Sequence, residues 1–330
     1  MHILIIGAAG MVGRKLTAAL VANGELGGRQ MEKLTLADVV TPEAPAGFSG
    51  TVETKAIDLS APDAATALVA SRPDTIFHLA AIVSGEAEAD FDKGYRINLD
   101  GTRYLLEAIR QEGLKNGPYL PRLVFTSSIA VFGAPFPDAI GDEFFSTPLT
   151  SYGTQKAICE LLINDYSRKG FVDGIGIRLP TITIRPGKPN LAASGFFSNI
   201  LREPLAGQEA VLPVSRDVRH WFASPRAAVG FLMHAATLDT SKLGWRRSLS
   251  APGLSATVGE EIEALRRVAG DKAVSLIREE PNETIVKIVE GWPRNFDTKR
   301  ALALGFVAES SMDEIIRIHV EDELGGKLGV

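Results

Sequence analysis

Met1-His2-Ile3-Leu4-Ile5-Ile6-Gly7-Ala8-Ala9-Gly10-Met11-Val12-Gly13 is the stretch that decides the fold. His2–Ile6 reads as a buried strand, and it is too short, and too soon followed by Gly7, for a signal peptide. Met11–Asn23 then reads as a helix. Glycines between a strand and a helix let the turn fold tightly and let backbone N–H groups approach a pyrophosphate, while the helix N-terminus adds partial positive charge. The spacing is G-x-x-G-x-x-G rather than G-x-G-x-x-G, and a glycine pattern alone would also suit a bare tight turn. Its place between strand and helix supplies the context for a dinucleotide site. Gly7, Ala9, Gly10, Met11, Val12 and Gly13 are therefore cofactor candidates.

Outward from this unit, short apolar runs alternate with amphipathic stretches. Strands are expected at Lys33–Leu36, Val52–Ala56, Thr75–Leu79, Arg122–Thr126 and Gly174–Arg178. Helices are expected at Asp63–Ser71, Asp90–Gln111 and Ser151–Lys169, with a Pro/Gly/Ala-rich loop over Val40–Thr51. Such alternation builds an α/β fold, a doubly wound parallel sheet covered on both faces. The 330 residues suit one large domain with an appended lobe. Residues 1–178 read as the Rossmann-like domain, with a return segment at about 218–252 that includes a helix over His220–Ala236. Pro180, Pro186, Pro189, Pro204 and Pro213 punctuate the irregular sequence after Arg178, so 179–217 and 253–330 read as a smaller, interleaved substrate lobe. Gly259–Val268 and Met312–Leu324 are its helix candidates.

Bulk properties exclude several function classes. A net charge of −5 without a basic block argues against nucleic acid. No apolar run approaches the roughly 20 residues of a membrane span, so a soluble cytoplasmic protein is expected. Cys159 is the single cysteine, which excludes an internal disulfide, and it reads as a small buried hydrophobe. The five histidines are scattered, so no metal site is expected.

Asp38 ends the second strand, where a carboxylate can accept hydrogen bonds from the adenosine ribose and repel a 2′-phosphate. NAD is expected and NADP disfavoured. Asp58 and Leu59 follow the third strand and can flank the adenine, although an isolated Asp there also suits a helix cap. Ala80 and Ala81 form a small-residue shelf after the fourth strand. His78 reads as a packed residue rather than a catalyst.

Thr126-Ser127-Ser128-Ile129 lies at the carboxyl end of a strand, where parallel sheets bind ligands. Downstream, Ser151-Tyr152-Gly153-Thr154-Gln155-Lys156 puts Tyr152 and Lys156 four apart, on one helix face. Free tyrosine, with a pKa of about 10, is a poor base at neutral pH. A nearby ammonium favours tyrosinate. Tyr152 then acts as general base on a substrate hydroxyl, Lys156 also holds the nicotinamide ribose, and a serine fixes the reacting oxygen. A lone Tyr-x-x-x-Lys is common on helix surfaces; the ordered set with the glycine turn and strand-end serines is much rarer. No Gly-x-Ser-x-Gly elbow supports a hydrolase.

With these motifs in order, the whole chain resembles an extended short-chain dehydrogenase/reductase of the NAD-dependent epimerase/dehydratase family. The resemblance maps the catalytic hydroxyl to Ser128, not Ser127, and matches Tyr152 and Lys156 to the Tyr-x-x-x-Lys pair. Asn98, in Asn98-Leu99-Asp100-Gly101-Thr102, matches the family's N-x-x-G-T helix, which implies a residue that supports the active-site architecture and counts among the cofactor candidates; the alternative is a plain helix-interior polar residue. Nucleotide-sugar members carry an acidic residue where Arg216-Asp217-Val218-Arg219-His220-Trp221-Phe222-Ala223 here runs into Ser224-Pro225-Arg226. That departure and the Ala81–Phe91 segment resemble instead a group that oxidises the C2 hydroxyl of a four-carbon sugar acid, D-erythronate, to 2-oxo-tetronate. A small carboxylate substrate calls for arginine. Arg178, Arg185, Arg216 and Arg219 are candidates, with Ser84, Ser128 and Thr181 as hydroxyl contacts. A nucleotide-sugar epimerase or dehydratase with tightly bound NAD is the alternative, although the acid pair that dehydratases of the family commonly place beside the catalytic hydroxyl is missing at Ser128, which argues against dehydration. A non-enzymatic nucleotide sensor is the third reading. The resemblance also implies a homodimer formed through Asp90–Gln111 and Ser151–Lys169, with Leu161, Leu162 and Tyr166 either in that interface or packed on the sheet.

Overall fold

The computed structural model describes residues 1–187 and 193–329; Pro189 lies outside the described residues. The chain divides into two units, Met1–Val131 with Thr150–Arg178 and Val229–Leu249, and Phe132–Leu149 with Leu179–Ala228 and Ser250–Val330.

Seven strands make the main sheet: β1 (His2–Ile6), β2 (Lys33–Asp38), β3 (Thr51–Ala56), β4 (Thr75–His78), β5 (Arg122–Ser128), β6 (Asp173–Leu179) and β7 (Ser248–Ser250). Their spatial order is β3-β2-β1-β4-β5-β6-β7, and β3, β2, β1, β4 and β5 pair in parallel. This is the doubly wound, Rossmann-like architecture expected from the sequence. The strand order reverses between β1 and β4, the switch point at which such sheets bind ligands. Ile3–Ile6, Ile76–Phe77 and Leu123–Phe125 are buried because central parallel strands are covered on both faces. β3, at the edge, is half-exposed, which accounts for its mixed Thr-Val-Glu-Thr-Lys sequence.

The flanking helices are α1 (Met11–Asn23), α2 (Ala64–Val69), α3 (Ser84–Ala89), α4 (Phe91–Gly94), α5 (Gly101–Asn116) and α6 (Ser151–Arg168). Leu105, Leu106, Ile109, Cys159 and Ile163 from α5 and α6 pack with Leu4, Ile76 and Phe125 in one core. Full burial of each such side chain is worth about 1.5–3 kcal/mol. The helix expected over Asp90–Gln111 runs without a break from Phe91 to Asn116, with a π-helical segment at Tyr95–Asp100 between α4 and α5. Asp90 is extended and caps its start by accepting from the Lys93 amide.

The second unit contains α7 (Gly195–Leu205), the first turn of α8 (Pro225–Thr237), α9 (Val258–Val274), α10 (Glu283–Glu290), α11 (Lys299–Ala303) and α12 (Met312–Leu324), and the rest of α8, from Val229, groups with the first unit. A capping box of Thr257 and Glu260 starts α9. The core of this unit gathers Phe197, Leu201, Phe222, Ile262, Leu265, Ile315 and Ile316.

The return segment differs from expectation. His220–Ala236 is not one helix: Arg219–Ala223 is a strand, and α8 begins only at Pro225. Proline at the first helical position sets that start, and Trp221 and Phe222 favour the pleated strand before it. Only Val229–Leu249 groups with the first unit, while Phe132–Leu149, expected there, groups with the second.

In the first unit, α6 and β6 are joined by a buried ion pair. Arg178 Nη2 donates to Glu160 Oε2 at 2.7 Å and its Nε donates to Oε1 at 2.9 Å, and Ser127 Oγ donates to Glu160 Oε1 at 2.5 Å. Arg178→Met leaves a buried carboxylate uncompensated and should lower unfolding stability in urea by about 3–5 kcal/mol. The paired Glu160→Leu/Arg178→Met variant should recover most of that loss. Equal losses in the two proteins would refute the charge argument.

Candidate active site

The glycine turn closes on itself and on the end of β4. Gly7 has φ +92°, and a Cβ there would lie 2.6 Å from Ala80 N. A Cβ on Gly13 would lie 2.2 Å from Gly7 O. Only glycine permits either approach. The turn is tied to β2 by Gly7 and Ala8 N–H donating to Ala37 O at 2.8 and 3.1 Å. Gly10 caps α1 with no side-chain bond, so the first-turn amides of Met11, Val12 and Gly13 have no intrahelical acceptor. Among the candidates, Ala9 has a further role, because its N–H donates to Asp38 Oδ2 at 2.9 Å. Asp38 Oδ1 accepts from Val39 N at 2.7 Å. The turn, the acid at the end of β2 and the Ala80–Ala81 shelf thus share one end of the sheet, and the glycine cradle fits a dinucleotide pyrophosphate.

Asp58 accepts from the Ser60 amide and hydroxyl at 2.9 and 2.6 Å, and Arg96 approaches it at 3.4 Å. Burial pushes its carboxyl up, but the Ser60 bonds and Arg96 together hold it below the ordinary carboxylate value. The Leu59 side chain is buried in the core cluster with α5 residues, so its apolar surface is spent on packing.

The strand-end serines separate cleanly. Ser127 is buried, with its hydroxyl committed to Glu160. Ser128 is half-buried, and its Oγ accepts from Ala130 N at 3.1 Å, which leaves its O–H as a donor. On α6, Tyr152 is half-buried and Lys156 is buried. Thr150 starts this helix by accepting from the Gly153 amide. Lys156 Nζ donates to Thr126 O at 2.8 Å, lies 4.6 Å from the Phe125 ring centroid and 5.7 Å from that of Tyr152. Burial pushes its ammonium down to about 8, against the raising influence of Cys159 and Glu160. A phenol beside a buried cation and a donor serine on the adjoining strand can take a proton from a hydroxyl and hold its oxygen.

Asn98 is committed inside the protein. Its Oδ1 accepts from Ile82 N at 2.9 Å, and its Nδ2 donates to Gln155 Oε1 at 2.8 Å. This pattern favours an architectural role over direct cofactor contact. Sequence reasoning missed Gln155 and Glu160. The signal for Glu160 was present, since it lies one helical turn beyond Lys156 on the same face. His78 is buried against Thr102 Oγ1 at 2.9 Å, and burial, then Lys156, lower its pKa to about 3. Its Nδ1 has no partner, so it is packed but only half satisfied. Cys159 is buried and its thiol is pushed up to about 11, mainly by burial.

The substrate candidates fall in both units. Ser84 opens α3 in the first unit. In the second, Thr181 Oγ1 bonds His220 Nε2 at 2.7 Å, Arg185 donates to Ile182 O and Ser194 Oγ, and Arg216 is exposed and paired with Glu279. Arg219 donates to Ser255 O at 3.1 Å and pairs with Glu260. It lines a cleft of about 680 Å³ with Phe136, Ser255 and Arg294. Arg178 is held by Glu160 and is withdrawn as a carboxylate donor. Among the described residues, no group of three or more His, Cys, Asp or Glu is arranged to hold a metal ion, and no helix is long and apolar enough to cross a membrane.

The family model described as "NAD dependent epimerase/dehydratase family" matches residues 3–240. The chain is 47% identical over 326 residues to D-erythronate dehydrogenase of Cupriavidus necator, covering 98% of each chain. It is 44% identical to D-erythronate dehydrogenase of Haemophilus influenzae, covering 98% of this chain and all of the relative. A crystal structure described as the nucleoside-diphosphate-sugar epimerase from Agrobacterium tumefaciens is 73% identical, with a TM-score of 0.97, covering 99% of this chain and 95% of that one.

The buried amine gives a pH test. Burial pushes the Lys156 ammonium down to about 8 in the folded protein, against about 10.4 in the unfolded chain. Between those values the unfolded chain holds a proton that the native chain has shed, so stability rises with pH. The stability of the wild type relative to Lys156→Met should therefore climb from about pH 8 to about pH 10 in urea titrations. Parallel curves would refute the burial of this amine.

Proposed function

The chain belongs to the NAD-dependent epimerase/dehydratase family, and from that premise we propose that it is an NAD-dependent dehydrogenase that oxidises the C2 hydroxyl of D-erythronate to 2-oxo-tetronate. The observation that carries this reading is the match along nearly the whole chain to two D-erythronate dehydrogenases.

Bound NAD supplies the hydride acceptor. The chain supplies the rest. The amides of the glycine turn and of the start of α1 bind the pyrophosphate. Asp38 keeps lone pairs for the ribose hydroxyls, and its charge opposes a 2′-phosphate. Ser128, whose Oγ accepts from Ala130 N, donates its O–H to the substrate oxygen. Tyr152 takes the hydroxyl proton, and Lys156, oriented by the Thr126 carbonyl, favours the tyrosinate form. Ser84, Thr181, Arg185, Arg216 and Arg219 remain the proposed substrate contacts.

The name of the Agrobacterium structure favours a second reading, nucleotide-sugar epimerisation. The Ser224-Pro225-Arg226 sequence weighs against it. Ser224 Oγ accepts from Ala227 N at 2.9 Å and caps α8, and Arg226 pairs with Glu321 and Asp322. Those positions serve a helix start in place of an acid. Purified protein with NAD and D-erythronate should accumulate NADH. Conversion of a UDP-sugar without net NADH, and no turnover of D-erythronate, would replace this reading with the second. Tyr152→Phe should lower kcat by about 10²–10⁴-fold with NAD affinity retained; near-normal turnover would remove Tyr152 from the base role.

We further propose a cytoplasmic homodimer. Leu161 on α6 is 71% exposed and Leu114 on α5 is 64% exposed, whereas Leu162 and Tyr166 pack against the core. Light scattering should give twice the chain mass, and Leu161→Glu should shift it toward the monomer. An unshifted dimer would place the interface elsewhere.

A further inference from the structure

We propose that Gln155 is a positioning residue that couples the helix bearing Tyr152 and Lys156 to the segment leading into Ser84, acting through Asn98. Its kinetic consequence rests on the dehydrogenase reading; its structural consequence does not.

Gln155 precedes Lys156 on α6 and is fully buried. Its Oε1 accepts from Asn98 Nδ2 at 2.8 Å. Asn98, itself 2% exposed, grips one residue at both backbone groups: its Oδ1 accepts from Ile82 N at 2.9 Å and its Nδ2 reaches Ile82 O at 3.3 Å. Ile82 lies two residues before Ser84, which opens α3. The far end of α3 returns to α6, where Glu88 accepts from Ser151 N at 2.9 Å. The loop and helix after β4 are therefore fastened to α6 at two points, one of them through a buried amide relay.

The chemistry of the relay is directional. Ile82 N–H needs an acceptor, so Asn98 must turn its Oδ1 to it, and its Nδ2 then faces α6 and requires an acceptor there. Gln155 supplies one. Its own Nε2 is buried and has no partner, an unfavourable arrangement that an apolar side chain would avoid. What the position demands is thus the acceptor oxygen. Space for the amide comes from Gly94, where a Cβ would lie 2.6 Å from Gln155 Nε2. Asn98 also sits in the π-helical segment Tyr95–Asp100, a distortion that recurs at functional sites.

Gln155→Met keeps the volume and removes the acceptor. It should reduce kcat/KM for D-erythronate by about tenfold, with KM raised and the pH midpoints unchanged, and should accelerate hydrogen exchange of the Ile82 amide. Gln155→Glu, kept neutral by burial, retains a carbonyl acceptor for Asn98 and should recover most of both. In a double-mutant cycle, Asn98→Ala with Gln155→Met should be no worse than Asn98→Ala alone. Gly94→Ala displaces the same amide and gives a second route if Gln155→Met does not fold. Unchanged Ile82 exchange, or effects that multiply in the cycle, would overturn the proposal. If the wild type does not oxidise D-erythronate, the dehydrogenase reading fails and the exchange measurement alone decides the coupling.

Discussion

The ammonium of Lys156, bound to the Thr126 carbonyl and set against the Phe125 ring, ties α6 to the carboxyl end of β5. A buried cation is tolerable only where an acceptor is fixed in place, so this contact sets both the depth and the rotation of the helix. The other polar contacts are placed by it at helical spacing. One turn earlier comes Tyr152; one turn later Glu160 meets Arg178 on β6 and Ser127 on β5. Ser127 and Ser128 face opposite ways along a strand, so binding Ser127 inward leaves Ser128 as the hydroxyl with a donor to spare.

Much of this was legible in sequence because it is local. A strand, a glycine turn and a helix occupy consecutive residues, and Tyr152 and Lys156 share one helix face. Helix starts were legible where a capping residue stands at the boundary, as Ser311 does for α12. The failures were tertiary. The Trp221-Phe222 stretch has apolar content that suits a helix as well as a strand, and its pairing with Thr181–Ile182 and Leu254–Thr257 decides for the strand. The short Ser248–Ser250 strand carries little signal of its own and exists because the edge beside β6 accepts it. The Asn98–Gln155 relay joins residues on separate elements, which spacing along the chain does not reveal.

The arginines show the same limit from the side of chemistry. Arg178 is one of the four arginines that the sequence offers as carboxylate donors. It already has a carboxylate, Glu160, and a bidentate buried pair does not open for a substrate without stranding a charge. Arg216 pairs with Glu279 at an exposed position, and half-buried Arg219 pairs with exposed Glu260; ion pairs open to solvent are weak and exchange partners at little cost. Burial, rather than pairing as such, separates a structural arginine from one available to an anion.

Asp38 joins cofactor choice to folding in a way the sequence motif alone does not express. Its Oδ2 accepts from Ala9 N inside the glycine turn and its Oδ1 accepts from the Val39 amide. The carboxylate proposed to oppose a 2′-phosphate is therefore also part of the scaffold of the glycine turn. Replacing it to admit NADP would, on that proposal, remove the repulsion and, in the same step, leave the Ala9 amide without its acceptor. The proposed cofactor preference is thus tied to the geometry of the turn as well as to charge.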